Sequence, residues 1–476
     1  MAKLKPWYHS VKLREDLQDN RPLDASEFAV HLDHVRQGNA HKVYKEPRAF
    51  FERTYLTGSL LDLAAQTVRR LSGLTVETSA VFNMSTQFGG GKTHALTTLY
   101  HLARGGAKAS DWKGVDLILR QAGVDKVPKA ATAVIVGTEL DLLTGRGGPG
   151  EPTRRTLWGE IAWQLGGEKS FAVVARHDET GTAPGGDVIQ QMLPEGPVLI
   201  LLDEMMSYMS RGRRQEAHES FYNFLHVLCG TICARSNAVL CVSIPSSDTI
   251  EMTTADQSDF ERVKKLLDRT GKAIQMSEKT EFAEIIRRRL FDWNGLPEDG
   301  RRVASAYAEW VRDQGGGLAG LEGSHNEIVD RFAAMYPFHP SALSVFERKW
   351  QTLPRFQRTR GVLRLLALWV AHAYQEQHRR GSDEPLLSLG SAPLDNHLFR
   401  AAVFEQLGED KLVVPVTSDI AGKSDSHATR LDEQDKDHIR KVRLHQKVAT
   451  AIFFESNGGQ SQHKAFATLA EIKAAV

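Results

Sequence analysis

Few things in this chain of 476 residues are extreme, and each missing extreme removes a class of protein. Cysteine is nearly absent. The three present, Cys229, Cys233 and Cys241, form neither a disulfide nor a zinc pattern, and suit a reducing cytosol. Cys229 and Cys233 stand four apart and would share a helix face, but buried small apolar residues are the plainer reading for all three. Neither sign of charge dominates: 60 basic side chains face 59 acidic ones, for a net charge of +1. That balance gives no bulk attraction to nucleic acid or to a membrane and leaves only local patches. No apolar run approaches the roughly 18 residues a membrane span needs. The closest, Val362 to Val370, is interrupted by Arg364. Met1 to Trp7 is basic but is followed by polar residues, so no signal peptide is read. No internal repeat is visible. The expectation is a cytoplasmic protein with no membrane partner.

What is present is an ordinary globular composition, 41% hydrophobic and 25% charged, long enough for two to four domains at about 100–200 residues each. The chain is organised around Ser85-Thr86-Gln87-Phe88-Gly89-Gly90-Gly91-Lys92-Thr93-His94. An apolar run, Ala80 to Phe82, precedes it, and a helical stretch from His94 to Arg104 follows. Strand, glycine turn, Lys-Thr, helix is the layout of a phosphate-binding loop. Glycines let backbone N–H groups converge on phosphate oxygens, and the helix N-terminus adds its positive dipole end. Lys92 is expected on the β and γ phosphates, and Thr93 on Mg²⁺. The usual first glycine falls on Thr86, so Gly89 and Gly90 are expected to make the tight turn.

Residues 80–250 alternate apolar strands with helical stretches. The strand candidates are Ala80–Asn83, Ala133–Gly137, Val198–Leu202 and Ala238–Ser243. Apolar on both faces, they predict a buried parallel sheet and an α/β class. The third candidate ends in Asp203-Glu204. Such a pair otherwise caps the next helix, but after a glycine loop it reads as a Walker B strand. Asp203 is then expected to hold Mg²⁺ through water, and Glu204 to activate the attacking water. In AAA+-type ATPases a polar residue ending the fourth strand contacts the γ-phosphate. Ser243 is the first choice here and Ser246 the second, against a hydroxyl that only satisfies its own turn.

Arg262 and Arg269 follow, with Arg269 just before a short strand candidate at Ala273-Ile274, where an arginine finger commonly sits. Surface arginine is the plainer reading for both. Gly361-Val362-Leu363-Arg364 resembles a sensor-2 motif, making Arg364 a γ-phosphate candidate. The loop Thr144–Pro152 reads as solvated, and so does the run Arg287-Arg288-Arg289. The organisation expected is a helical N-terminal region (1–75), an α/β nucleotide-binding core (76–255), a helical lid (256–380) and a further region (381–476).

Several blocks carry a family likeness: Trp7, Phe50-Phe51-Glu52-Arg53-Thr54-Tyr55-Leu56-Thr57, the loop from Thr86 to His94, Leu99-Tyr100-His101-Leu102, Tyr336-Pro337-Phe338-His339-Pro340, and Phe356 to Arg364. From Trp7 to about Gly459 the chain resembles the bacterial domain-of-unknown-function 499 ATPase family. Its members include BrxC/PglY-type P-loop ATPases of bacteriophage-exclusion (BREX) defence systems. The resemblance implies an AAA+-like ATPase using ATP and Mg²⁺, with Thr86 as a family trait. It also implies self-association, partners such as a DNA methyltransferase and a helicase, and DNA met directly or through them. Members are usually longer, so the chain resembles an N-terminal ATPase portion. The rival reading is an ATP-dependent switch or scaffold with little hydrolysis. A nucleic-acid motor is weaker, because no helicase motif accompanies the two Walker elements.

Overall fold

Strands here are set by β-branched and apolar runs, and their side chains divide cleanly by period two. In the computed structural model β1 (Val81–Thr86), β2 (Ala131–Val136), β3 (Val198–Asp203), β4 (Ala238–Pro245) and β5 (Lys272–Ala273) form one parallel sheet in the order β2-β3-β4-β1-β5. The structure describes residues 4–19, 22–23, 25–86, 91–141, 143–212, 217–245, 253–274, 281–314, 318, 320–350, 353, 358–380, 383–408, 410–422, 425–457 and 466–476.

The chain divides into two compact units, Ala29–Glu281 and Met1–Phe28 with Phe282–Val476. The first holds the sheet. Val81, Ile135, Ile200, Leu202, Leu240 and Val242 face one core, while Phe82, Met84, Val134, Leu199, Leu201 and Cys241 face another. This is the two-sided burial that continuous apolar strands require. Helices from the N-terminal stretch cover the second face: Pro47–Arg53 and Gly58–Leu71 share its core with the helix after β1. Thr57 caps Gly58–Leu71 by accepting the Leu60 N–H at 3.2 Å. On the opposite face lies the helical stretch Leu157–Thr180, broken at Gly166 and Gly167.

One solvated reading holds and one is corrected here. The described residues of the loop Thr144–Pro152 are exposed or half-buried, but Arg146 within it and Arg154 just beyond it turn inward. Arg146 pairs with the fully buried Asp33 at 2.7 Å, and Arg154 with Glu160 at 3.0 Å. Burial alone would raise the Asp33 pKa, but Arg36 and Arg146 outweigh it and hold the carboxyl below its usual range. In the second unit, Arg287 and Arg289 are 4% and 8% exposed, not a solvated face. Arg287 donates to the Ala334 carbonyl and lies over Trp293; Arg289 donates to the Glu27 carbonyl and lies over Phe28. A fork of donors and a flat apolar face let arginine enter a core.

The second unit is helical and has one core. It joins Trp7 and Leu13 to residues as distant as Phe454 and Ala475. Among the described residues no helix is long and apolar enough to cross a membrane.

Candidate functional site

The strand register brings three motifs to one edge. Met84 of β1 stands beside Ser243 of β4, Leu202 of β3 beside Val242, and Val136 of β2 beside Asp203. The carboxyl ends of four strands are therefore level. β1 lies between β4 and β5, far from its sequence neighbours, so the chain leaves it at a switch of strand order. Ligand crevices form at such points in open α/β sheets.

The candidate phosphate-loop residues Gln87, Phe88, Gly89 and Gly90, between β1 and Gly91, lie outside the described residues, as does Ser246. The φ of 81° at Gly91 is a left-handed conformation that suits glycine. Gly91 caps α1, Lys92–Gly105. Thr86 ends β1. Thr93 donates its hydroxyl to Asp203 Oδ2 at 2.8 Å, and the Glu204 N–H donates to Asp203 Oδ1 at 3.1 Å. Ser243, 1% exposed, hydrogen-bonds to the same carboxylate. His94 turns away from this edge: its Nε2 lies 3.0 Å from Thr54 Oγ1, and its ring stacks on Phe50 at 4.5 Å. That contact ties the family's Phe50–Thr57 block to the helix after the glycine loop.

Burial dominates the electrostatics. Desolvation raises the Asp203 pKa against its bonds from Ser243 and Thr93 and the charge of Lys92. Desolvation, then the charge of Asp203, raises Glu204, while His31, Thr138 and Lys92 oppose. Lys92 is lowered by desolvation, against the pull of both acids. Groups shifted together at one end of a sheet mark a candidate functional site. The donors also fit a hard cation. A hydroxyl and a buried carboxylate, both oxygen, are what Mg²⁺ takes, and Gly91 at the head of a 14-residue helix fits an anion beside it.

Two residues at this edge escaped the motifs. Thr138 donates to Glu204 Oε2 at 3.5 Å, and Gly137 packs directly on the Glu204 backbone. A polar residue just past an apolar strand was the available signal. The arginines are placed differently. Arg262 stacks on Tyr222 at 3.9 Å and pairs with Glu219 at 2.8 Å. Arg269 is exposed, 3.5 Å from His226. These lie on α2, Ala217–Ala234, and α3, Thr254–Thr270. Arg364 belongs to the second unit, on α4, Arg358–Arg380, and pairs with Glu405 at 2.6 Å.

Strand order, glycine-capped helix and paired acids define an α/β P-loop fold of the AAA+ type, the fold of nucleotide-binding ATPases. The model of the DUF499 N-terminal domain matches residues 3–279, and the chain belongs to that family. No curated protein matches it in sequence. Among solved structures it is similar to the Aeropyrum pernix ORC1 protein in complex with DNA, at 14% identity over 88% of this chain and 75% of that one, TM-score 0.29. It is also similar to the A. pernix ORC2 protein (ADPNP–ADP complexes), at 15% identity over 77% and 89%, TM-score 0.30. Caenorhabditis elegans PCH-2 matches at 14% identity over 74% and 68%, TM-score 0.28.

Proposed function

We propose that the chain binds ATP with Mg²⁺ and hydrolyses it in the cytoplasm, within a phage-defence or DNA-modification-associated complex. The observation that carries the ATPase part is the 2.8 Å contact between Thr93, beside the glycine loop, and Asp203, at the end of β3. Residues 110 apart in sequence meet where metal and phosphate would share oxygens.

The roles divide by chemistry. The loop Thr86 to Gly91 binds the phosphates, Lys92 supplies a point charge to them, and His94 anchors the helix that follows. Thr93 and Asp203 hold Mg²⁺, which when bound neutralises charge on the transferred phosphoryl group. Glu204 orients a water and accepts its proton; its raised pKa moves it toward the range of an effective base. Ser243 fixes the Asp203 carboxylate and reads the γ-phosphate. Arg269 completes the site of a neighbouring copy, and Arg364 acts as a sensor arginine. The defence role, with methyltransferase and helicase partners, rests on the family likeness.

Two variants test the reading. Lys92→Ala loses nucleotide affinity in a fluorescent-nucleotide titration. Glu204→Gln keeps that affinity, and its steady-state phosphate release falls about 10²–10⁴-fold, the usual cost of removing a general base. Wild-type protein that binds ATP tightly and releases no phosphate would instead be a switch.

A further inference from the structure

Glu204 has a neighbour that none of the motifs contains. His31 caps the short helix Leu32–Gln37, and its Nδ1 accepts the His34 N–H at 3.4 Å. A neutral imidazole that accepts at Nδ1 carries its proton on Nε2. That nitrogen lies 3.3 Å from Glu139 Oε1. The His34 ring stacks on His31 at 4.0 Å between centroids and restrains its rotation.

Glu139 directly follows Thr138, whose hydroxyl reaches Glu204. The Glu139 N–H donates to the Val136 carbonyl at 2.9 Å and closes the turn beyond β2. Beneath it, Asp33 on the same short helix takes Arg36 at 2.9 Å and Arg146 at 2.7 Å. Arg146 also reaches the Glu139 carbonyl at 3.5 Å. The turn is thus held from both sides of Glu139, by Arg146, itself paired with Asp33, on its backbone and by His31 on its carboxylate. His31 is also within electrostatic reach of Glu204. The ligating atoms of His31, His34 and Glu139 lie within 4.8 Å of one another, as for a metal site. While the capping bond is made, Nε2 is a proton donor that faces Glu139.

We propose that His31 is a positioning residue for hydrolysis: by holding Glu139 it fixes the turn that carries Thr138, and with it the Glu204 carboxylate. The inference rests on the hydrolytic role of Glu204 given above.

Asparagine places its amide where Nδ1 stands, and glutamine where Nε2 stands. His31→Asn therefore keeps the helix cap and loses Glu139, while His31→Gln keeps the reach to Glu139. The expected result for His31→Asn is unchanged KM, ATP affinity and melting temperature, with kcat lowered about five-fold, the most an exposed pair sustains. His31→Gln retains near wild-type kcat. Glu139→Ala shows the same loss as His31→Asn, and the double variant shows no further loss, since one contact is removed in each case. Wild-type kcat in His31→Asn, or equal losses in His31→Asn and His31→Gln, overturns the inference alone. Wild-type protein that binds ATP without releasing phosphate overturns the hydrolytic reading, and this inference with it.

Discussion

The tightest constraint at the site falls on an atom that is not there. A Cβ on Gly137 would stand 2.2 Å from the Glu204 carbonyl oxygen and 3.2 Å from the Tyr208 nitrogen, both backbone. The Gly137 N–H meanwhile donates to the Asp203 carbonyl at 2.7 Å, so the chain cannot back away without losing that bond. Glu204 itself sits at φ 54°, a left-handed conformation that costs a non-glycine residue roughly 1–2 kcal/mol. Close approach and strain thus coincide at the proposed base. Gly137→Ala is expected to destabilise the protein by about 1–3 kcal/mol, the usual cost of overpacking, and to lower phosphate release by more than ten-fold while ATP still binds. Urea unfolding and steady-state turnover read the two effects. Turnover at the wild-type rate would show that the backbone yields here at no cost to Glu204. Sequence alone could not place this glycine, because its reason lies on another strand.

Helix starts tell a similar story one scale up. His339 caps the helix Pro340–Arg348, accepting the Ser341 N–H at its Nδ1 at 3.2 Å. Burial pushes its pKa from 6.5 down to about 3. The folded protein keeps the neutral ring, whereas the unfolded chain takes up a proton below pH 6.5. Stability is therefore full above that value and falls as pH drops through the window toward 3. Acidification from pH 7 to 5 should cost about 2 kcal/mol through this one side chain. His339→Asn, which preserves the capping acceptor, is expected to lose that part of the pH dependence in urea unfolding. An unchanged pH slope would remove His339 from the account. Strands were legible for a simple reason: β1, β2, β3 and β4 are largely apolar on both faces, as buried parallel strands are. The inward arginines were not, since Arg146, Arg154, Arg287 and Arg289 look like solvent residues until Asp33, Glu160, Glu27 and Trp293 fold against them.

At the scale of the whole molecule, the proposed cis site brings Lys92, Thr93, Asp203, Glu204 and Ser243 from one chain. A phosphoryl-transfer site of this type gains about 10³–10⁵ in rate from an arginine, commonly from a neighbouring subunit. Arg269, exposed at the end of α3, is the candidate donor. Specific activity should then rise with protein concentration, and mixing Arg269→Ala with Glu204→Gln protein should recover part of it. Activity that is flat on dilution, from a particle that light scattering finds monomeric, would rule out a finger in trans. The acid pair ending β3, the glycine at the head of α1 and the family blocks within residues 3–279 were readable because each is contiguous. Thr138 and His31 depend on which elements meet, which no local pattern states.

The strand order also sets a timetable for synthesis. Val81 of β1 pairs with Leu240 of β4, and Phe82 with Lys272 of β5, so β1 has no sequence-adjacent partner. At ribosomal speeds of about 5–20 residues per second, β1 waits roughly 8–30 s for β4 to be made. Through that interval the nascent chain carries an apolar strand with both edges bare, and the helices upstream of it, from Pro47 to Leu71, are the first cover it can find.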